Sequence, residues 1–254
     1  MPSLRSDQSL DILAIAAHRD DVEQTCGGTL LKAAERGQRT GILDLTRGEM
    51  GTRGTAEDRA AEAEDAAKIL KVEWRRALDI PDGRVENTWE NRLKVAAVIR
   101  ETRPRVVILP YWKGRHPDHY TASILGYEAC FLAGLAKLGT SSKASGSGDI
   151  SKLPAHRPFK IIYATLYYDI RPTFVVDISE QFEVKFRSIL AYKSQFSDQE
   201  VGKDLFPAEQ EIRARVESMA RFYGGLGGVI HAEPFLQKEV GLIDDLLAIP
   251  VKSI

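Results

Sequence analysis

Two short stretches concentrate the residues able to do chemistry: His18-Arg19-Asp20-Asp21 and His116-Pro117-Asp118-His119. The chain holds five histidines and three of them fall here, a concentration that scattered surface histidines would rarely produce. A His-x-x-Asp pair with one distant histidine supplies two imidazoles and a carboxylate. With a position left open for water, that is the ligand set of a catalytic zinc site. On this reading His18, Asp21 and His119 hold the metal, and Asp20 stands beside it as general base. His116 faces the substrate from the other side as general acid, with Asp118 orienting its imidazole. Fe(II) or another divalent ion would also suit these ligands, because two histidines and one carboxylate equally describe the facial triad of iron oxygenases.

The surrounding pattern says what must position these groups. The apolar run at 10–17 suits a strand buried on both faces, and it stops at His18. A helix is expected over 26–37, a strand over 40–45 and a glycine-rich loop over 46–54. Thr55 and Asp58 form a capping box for a helix over 56–70. A weaker strand at 75–80 leads into the turn Pro81-Asp82-Gly83. Further helices are expected from Thr88 to Thr102, over 120–138, near 180–192 and at 208–222 before glycine-rich 224–228. Strands are expected at 105–110, 159–168 and 173–178. This alternation implies an α/β fold: a doubly wound, Rossmann-like, mostly parallel sheet with helices on both faces and a C-terminal elaboration. Ligands bind such sheets beyond the carboxyl ends of the strands, where both clusters fall. The Ser/Gly/Lys-rich segment 139–152 reads as a mobile loop, and residues 1–254 as a single domain.

Composition removes other classes. Lys plus Arg is 35 against 36 for Asp plus Glu, so bulk positive charge for nucleic acid is missing. No run of 18 apolar residues marks a membrane span, and the first residues lack a secretory apolar region. Two cysteines, Cys26 and Cys130, fit a reducing cytoplasm.

The motifs also carry a resemblance. Ala17-His18-Arg19-Asp20-Asp21 and His116-Pro117-Asp118-His119 resemble the A-H-P-D-D and H-P-D-H fingerprints of the LmbE/PIG-L family of zinc-dependent N-acetylglucosaminyl deacetylases. The likeness continues in DLTRGEMGTRG at 44–54, at Arg59, in YWKGRHPDH at 111–119 and in AYKSQF at 191–196. Within the family it is most similar to the bacillithiol-biosynthesis branch, whose substrate is N-acetylglucosaminyl-malate. The resemblance implies the same metal ligands, base and acid. It adds Arg59 and Arg115 as substrate-binding residues suited to a carboxylate, and Tyr192 as a donor to the oxyanion. Arg53, after the glycine-rich turn, is a third substrate-binding candidate. The implied partners are a small N-acetylated sugar conjugate and further copies of the chain, a hexamer being one form. Arg19 departs from the family proline and is expected to add positive charge at the rim.

Plainer readings stand beside these. Asp20 or Asp118 could cap a helix, Arg59 could pair with a charge on its own surface, and Tyr192 could be core. Cys26 most simply packs at a helix start, Gly27-Gly28 allows close packing, and His156 and His231 read as structural. Rival functions are a deacetylase or amidase for another glycoconjugate or chitooligosaccharide, an iron(II) oxygenase, and a sugar-binding module with a vestigial metal site. A mere binder would need neither Asp20 nor His116.

Overall fold

The computed structural model describes residues 9–138, 150–166, 169–196 and 209–249. In chain order the elements are β1 (Ile12–Ala16), α1 (Asp21–Thr25), α2 (Gly27–Glu35), β2 (Thr40–Asp44), α3 (Ala56–Ile69), β3 (Trp74–Ala77), α4 (Trp89–Thr102) and β4 (Val106–Pro110). There follow α5 (Pro117–Ala133), β5 (Lys160–Ala164), β6 (Phe174–Asp177), α6 (Phe182–Leu190), α7 (Lys193–Phe196), α8 (Glu209–Gly227) and β7 (Ala232–Gln237). The sheet order is β3-β2-β1-β4-β5-β7-β6. Strands β3 to β5 pair in parallel; β7 runs antiparallel to both β5 and β6.

The two-residue period of the strands explains why helices cover both faces. In β1, Leu13 and Ile15 point into one core with Leu93 to Ile99 of α4 and Ala122 to Ala133 of α5. Ala14 and Ala16 point the opposite way, to Val22, Cys26 and Leu30. The small β1 side chains on that face let α1 and α2 come close. Gly28 lets α2 pack as closely on the residue that follows β6: a Cβ there would lie 2.9 Å from Ile178. The expected capping box is present, with Thr55 accepting from the Asp58 backbone and Asp58 reaching back, and Thr88 caps α4.

Three expectations change. Helix α5 begins at Pro117, so the second motif is not in a loop but forms the helix N-terminus, with the His116 ring accepting the Asp118 N–H as the cap. Helix α8 continues through Gly224 to Gly227. Strand β7 was not expected, because Glu233 and Pro234 break its apolar pattern. Glu233 is tolerated inside because its carboxylate is fully engaged: Lys185 Nζ donates at 2.6 Å, and the backbone N–H groups of Gly28 and Thr29 at 2.9 and 2.7 Å. The loop assigned to 139–152 lies mostly outside the described residues; its end, Ile150–Lys152, is a short 3-10 turn.

Candidate active site

Strand β1 delivers His18 two residues beyond its carboxyl end, and α5 delivers His116 and His119 from its cap and first turn. Because β1 and β4 are neighbours in the sheet, sequence positions a hundred apart meet at one edge. The three imidazoles cluster with ring centroids 4.7 Å (His18–His116), 5.2 Å (His18–His119) and 5.0 Å (His116–His119) apart.

Donor atoms of three residues lie together, Asp21 facing the two imidazoles with one carboxylate oxygen each. His18 Nδ1 lies 3.2 Å from His119 Nε2, His119 Nε2 lies 3.2 Å from Asp21 Oδ1, and His18 Nδ1 lies 3.5 Å from Asp21 Oδ2. Ligands about 2.0–2.2 Å from a tetrahedral cation stand roughly 3.3–3.6 Å from one another, so the three residues are spaced much as three ligands of a tetrahedral site would be. His18, His116 and His119 form an alternative group of donors, but His116 is exposed and its Nδ1 is occupied by the Asp118 N–H at 3.2 Å. Asp21, buried beside both other ligands, is the better third donor.

The far nitrogen of His18 decides its tautomer. Nε2 lies 3.1 Å from Asp82 Oδ1 and 3.4 Å from Asp118 Oδ2. A neutral imidazole that donates Nε2–H to these carboxylates presents the Nδ1 lone pair towards His119 and Asp21, the arrangement by which metal-binding histidines are held. Asp118 is itself anchored by the N–H groups of Gly83 (2.8 Å) and Val85 (3.2 Å), and Asp82 by Met50 N–H (2.9 Å).

Electrostatics agree with a cation. Burial opposes a charged His18, yet hydrogen bonds to Asp118, Asp21 and Asp82 outweigh it and raise its pKa to about 12. Burial also disfavours charge on Asp21, but His119 and His18 hold it well below the usual carboxylate range. Asp82 and Asp118 are lowered too, burial being overcome by the His18 bond and backbone donors. Burial and the neighbouring imidazoles lower His116. Three carboxylates around two inward imidazoles form a negative pocket that a divalent ion would neutralise.

Asp20 stands at the α1 N-cap position yet makes no capping bond there. Its Oδ1 accepts from Arg59 Nη2 at 3.0 Å and its Oδ2 from Gln24 Nε2 at 3.3 Å. A small apolar cavity of about 30 Å³ adjoins the ligands, lined by Asp21, His119, Cys26, Ile108, Tyr111 and Leu166; this is room for one or two water-sized groups.

Several expected roles are corrected. Asp118 directs its carboxylate to His18, and only its backbone N–H meets His116. Arg59 is buried and grips Asp20 and the Gly48 carbonyl (3.3 Å) rather than facing a ligand. That approach needs Gly48, whose φ is +72° and where a Cβ would fall 2.3 Å from Arg59 Nη1. Arg53 is buried and donates to the Gln195 carbonyl at 3.4 Å. Tyr192 is fully buried, donating to the Arg19 carbonyl and lying 3.1 Å from Glu23 Oε1, so it braces the first motif instead of meeting an oxyanion. Arg19 is also buried, its Nη1 on the Ala56 carbonyl at 2.6 Å, and adds no charge to the rim. Arg115 alone of the three arginines is exposed. The residue missed was Asp82; the signal was its place in a turn after β3, at the same edge of the sheet.

Beneath the first motif lies a buried network that holds its loop. Arg75 of β3 donates to Asp44 (2.9 Å), Glu23 (2.6 Å) and the Arg19 carbonyl.

Comparison with known proteins agrees with this geometry. The family model PIG-L, described as GlcNAc-PI de-N-acetylase, matches residues 13–130. A diacetylchitobiose deacetylase of Thermococcus kodakarensis is 33% identical over 233 residues, which is 87% of this chain and 80% of that one. This chain belongs to the PIG-L family. Among solved structures, a conserved protein of Thermus thermophilus superposes with a TM-score of 0.78 at 38% identity, covering 92% of this PIG-L chain and 98% of its own. The N,N'-diacetylchitobiose deacetylase of Pyrococcus horikoshii gives 0.75 at 26%, covering 88% and 82%. The matched family region of this PIG-L protein contains both motifs, Asp82 and Arg59.

Proposed function

We propose that this chain is a metal-dependent hydrolase that removes the acetyl group from an N-acetylglucosamine unit of a small glycan or glycoconjugate. The observation that carries the reading is the meeting of His18, Asp21 and His119 donor atoms, with Asp20 and His116 placed close by. Zinc is the cation assigned, on ligand type and tetrahedral spacing. Bound there, it would polarise the amide carbonyl and bring the pKa of water from 15.7 towards about 7.

The chain's own groups supply the rest. Asp20, aimed by Arg59 and Gln24, accepts the proton of the attacking water. His116, whose Nδ1 is taken by the Asp118 N–H, has Nε2 left to carry a proton to the departing amine. The recess beside Asp21 and His119 matches an acetyl methyl, and its walls exclude water from that side. Acetate and a glucosaminide leave.

For the rest of the substrate, the inward engagement of Arg53 and Arg59 favours an uncharged saccharide such as an acetylated chitooligosaccharide. The exposed Arg115 supports a second reading, the N-acetylglucosaminyl-malate conjugate, since a guanidinium pairs with a carboxylate. The buried free thiols of Cys26 and Cys130 support action in a reducing cytoplasm.

The test is acetate release from diacetylchitobiose, N-acetylglucosaminyl-malate and N-acetylglucosamine by zinc-loaded, iron-loaded and chelator-stripped protein. Activity that needs the metal and prefers the disaccharide is expected. Turnover of the malate conjugate alone, lost in Arg115→Ala, would select the second reading. Full activity after complete metal removal would end the proposal.

A further inference from the structure

Three neighbouring strands end in small side chains on one face of the sheet. Ala14 of β1 pairs with Ile108 of β4, and Pro110 of β4 pairs with Ala164 of β5. Ala16, two residues beyond Ala14, points the same way. Ala14, Ala16 and Ala164 belong to the core packed against Val22 of α1 and Cys26. Alanines beneath a helix leave a gap that larger residues would fill, and here that gap is the recess of about 30 Å³ beside Asp21 and His119. Protein interiors keep few voids larger than a water molecule. An apolar one held open against candidate metal ligands is therefore a place for part of a substrate.

What fits there is small and apolar. The walls include the three alanines, Val22 and Ile108. The Cys26 thiol beside them is pushed up by burial and stays neutral, so it adds no charge. By volume the recess takes one or two carbon-sized groups. An acetyl methyl occupies one and leaves room for one more.

A second hollow of about 40 Å³ lies next to the first, lined by Val216, Met219, Ala220 and Tyr223. Its charged pair is closed on itself, Lys185 Nζ donating to Glu233 Oε1 at 2.6 Å. Thr25 and Leu166 line both hollows and so stand between them. The Thr25 hydroxyl donates to the Asp21 carbonyl at 2.8 Å and ties that side chain to the first motif. Leu166 is the part of the partition that a substitution can remove without disturbing a metal ligand.

We infer that this recess measures the acyl group: it admits propionyl as well as acetyl, and the partition at Leu166 stops a longer chain. The inference rests on the deacetylase reading and adds depropionylation to it. The bond broken is the same amide C–N, water supplies the oxygen of the new C–O bond, and propionate leaves beside the free amine. Ala16 and Ala164 set the width of the recess, and Leu166 its depth.

The test takes the substrate that acetate release selects and prepares it with acetyl, propionyl or butyryl on the same nitrogen. Release of free amine by zinc-loaded wild type, Leu166→Ala and Ala164→Val gives kcat/KM for each. Wild type should hydrolyse the propionyl compound within about 10-fold of the acetyl one and lose about 10–200-fold at butyryl, the range for one methylene that a pocket does not accept. Leu166→Ala should raise the butyryl-to-acetyl ratio by about 10-fold or more, and Ala164→Val should lower the propionyl-to-acetyl ratio by a similar factor. Ratios taken within one variant cancel changes in folding or metal content, and a gain of butyryl activity cannot come from a damaged fold. Butyryl turned over as well as acetyl by wild type, propionyl rejected as strongly as butyryl, or ratios that neither variant moves would overturn the inference, while hydrolysis of the acetyl compound would still uphold the deacetylase reading. Absence of hydrolysis with all three compounds would overturn both.

Discussion

The Arg59 guanidinium reaches from α3 to donate to Asp20 Oδ1 at 3.0 Å, while its other amino group holds the Gly48 carbonyl. One buried side chain thus fixes the direction of the candidate base and the path of the 46–54 loop together. Replacing Arg59 with Ala should lower kcat by about 10–100-fold, the range for removing a group that orients a site residue, with KM changing less. Lysine cannot span two acceptors as a planar fork does, so Arg59→Lys should recover only part of the loss. Steady-state kinetics on both variants, with metal content measured, checks this.

Asp20 itself should be separable from the ligands. Its carboxylate accepts from Arg59 and Gln24, and its charge is near enough to His119 to favour the protonated ring. Asp20→Asn keeps the shape and removes the proton acceptor, so kcat should fall about 10²–10⁴-fold while bound metal stays at the wild-type ratio. Metal analysis beside the rate measurement decides it: loss of the metal from the variant would make Asp20 a ligand instead.

The carboxylates behind His18 predict a different signature. Asp82 and Asp118 face its Nε2, the ring nitrogen on the other side from the Nδ1 that meets His119 and Asp21. Asp82→Asn and Asp118→Asn should each weaken metal affinity by about 10–100-fold, with activity restored at excess metal. Competition against a coloured chelator gives the affinity, and failure of added metal to restore turnover would argue that these groups touch the substrate.

What could be read from the amino-acid order follows from which forces are local. The β1 alternation, the Thr55 capping box and the clustering of three histidines in two motifs are short-range patterns, and each appears where the pattern put it. The meeting of His18, Asp21 and His119 was also legible, because parallel neighbouring strands bring their carboxyl ends to one edge. The partners of Arg59, Asp118 and Tyr192 were not. Each is set by what lies across a tertiary gap, Asp20, His18 and Arg19 respectively, and a residue type alone does not say whether its polar end turns to a ligand or to its own backbone. Strand β7 was hidden for the same reason: Glu233 looks like surface until Lys185 and the α2 N-terminus supply its partners.

Close packing at the α2 start gives a stability test away from the chemistry. A Cβ on Gly28 would stand 2.9 Å from two Ile178 carbons and 3.0 Å from its Cβ, which a rotamer change cannot move. Gly28→Ala should cost about 1–3 kcal/mol by overpacking. Ile178→Ala, itself the loss of a fully buried side chain, should cost less on the Gly28→Ala background than on the wild type, measured by denaturant unfolding.

His231 predicts the pH dependence of stability. It is buried, stacks on Phe182 with centroids 4.2 Å apart, and neither ring nitrogen has a hydrogen-bond partner among the described residues. Burial, helped by Arg221 and Arg213 and opposed by Glu217 and Glu183, lowers its pKa below the ordinary 6.5. Below pH 6.5 the unfolded chain therefore takes up a proton that the folded chain refuses. The stability this neutral ring contributes is present above that value and is lost as pH falls towards the folded pKa. His231→Phe keeps the stacking partner and removes the titration. The fall in Tm between about pH 7.5 and about pH 5.5 should then be smaller in the variant than in the wild type. His156, whose pKa burial also lowers, contributes the same slope to both proteins, so the difference between the two curves isolates His231. Equal slopes would mean that His231 is protonated as readily folded as unfolded.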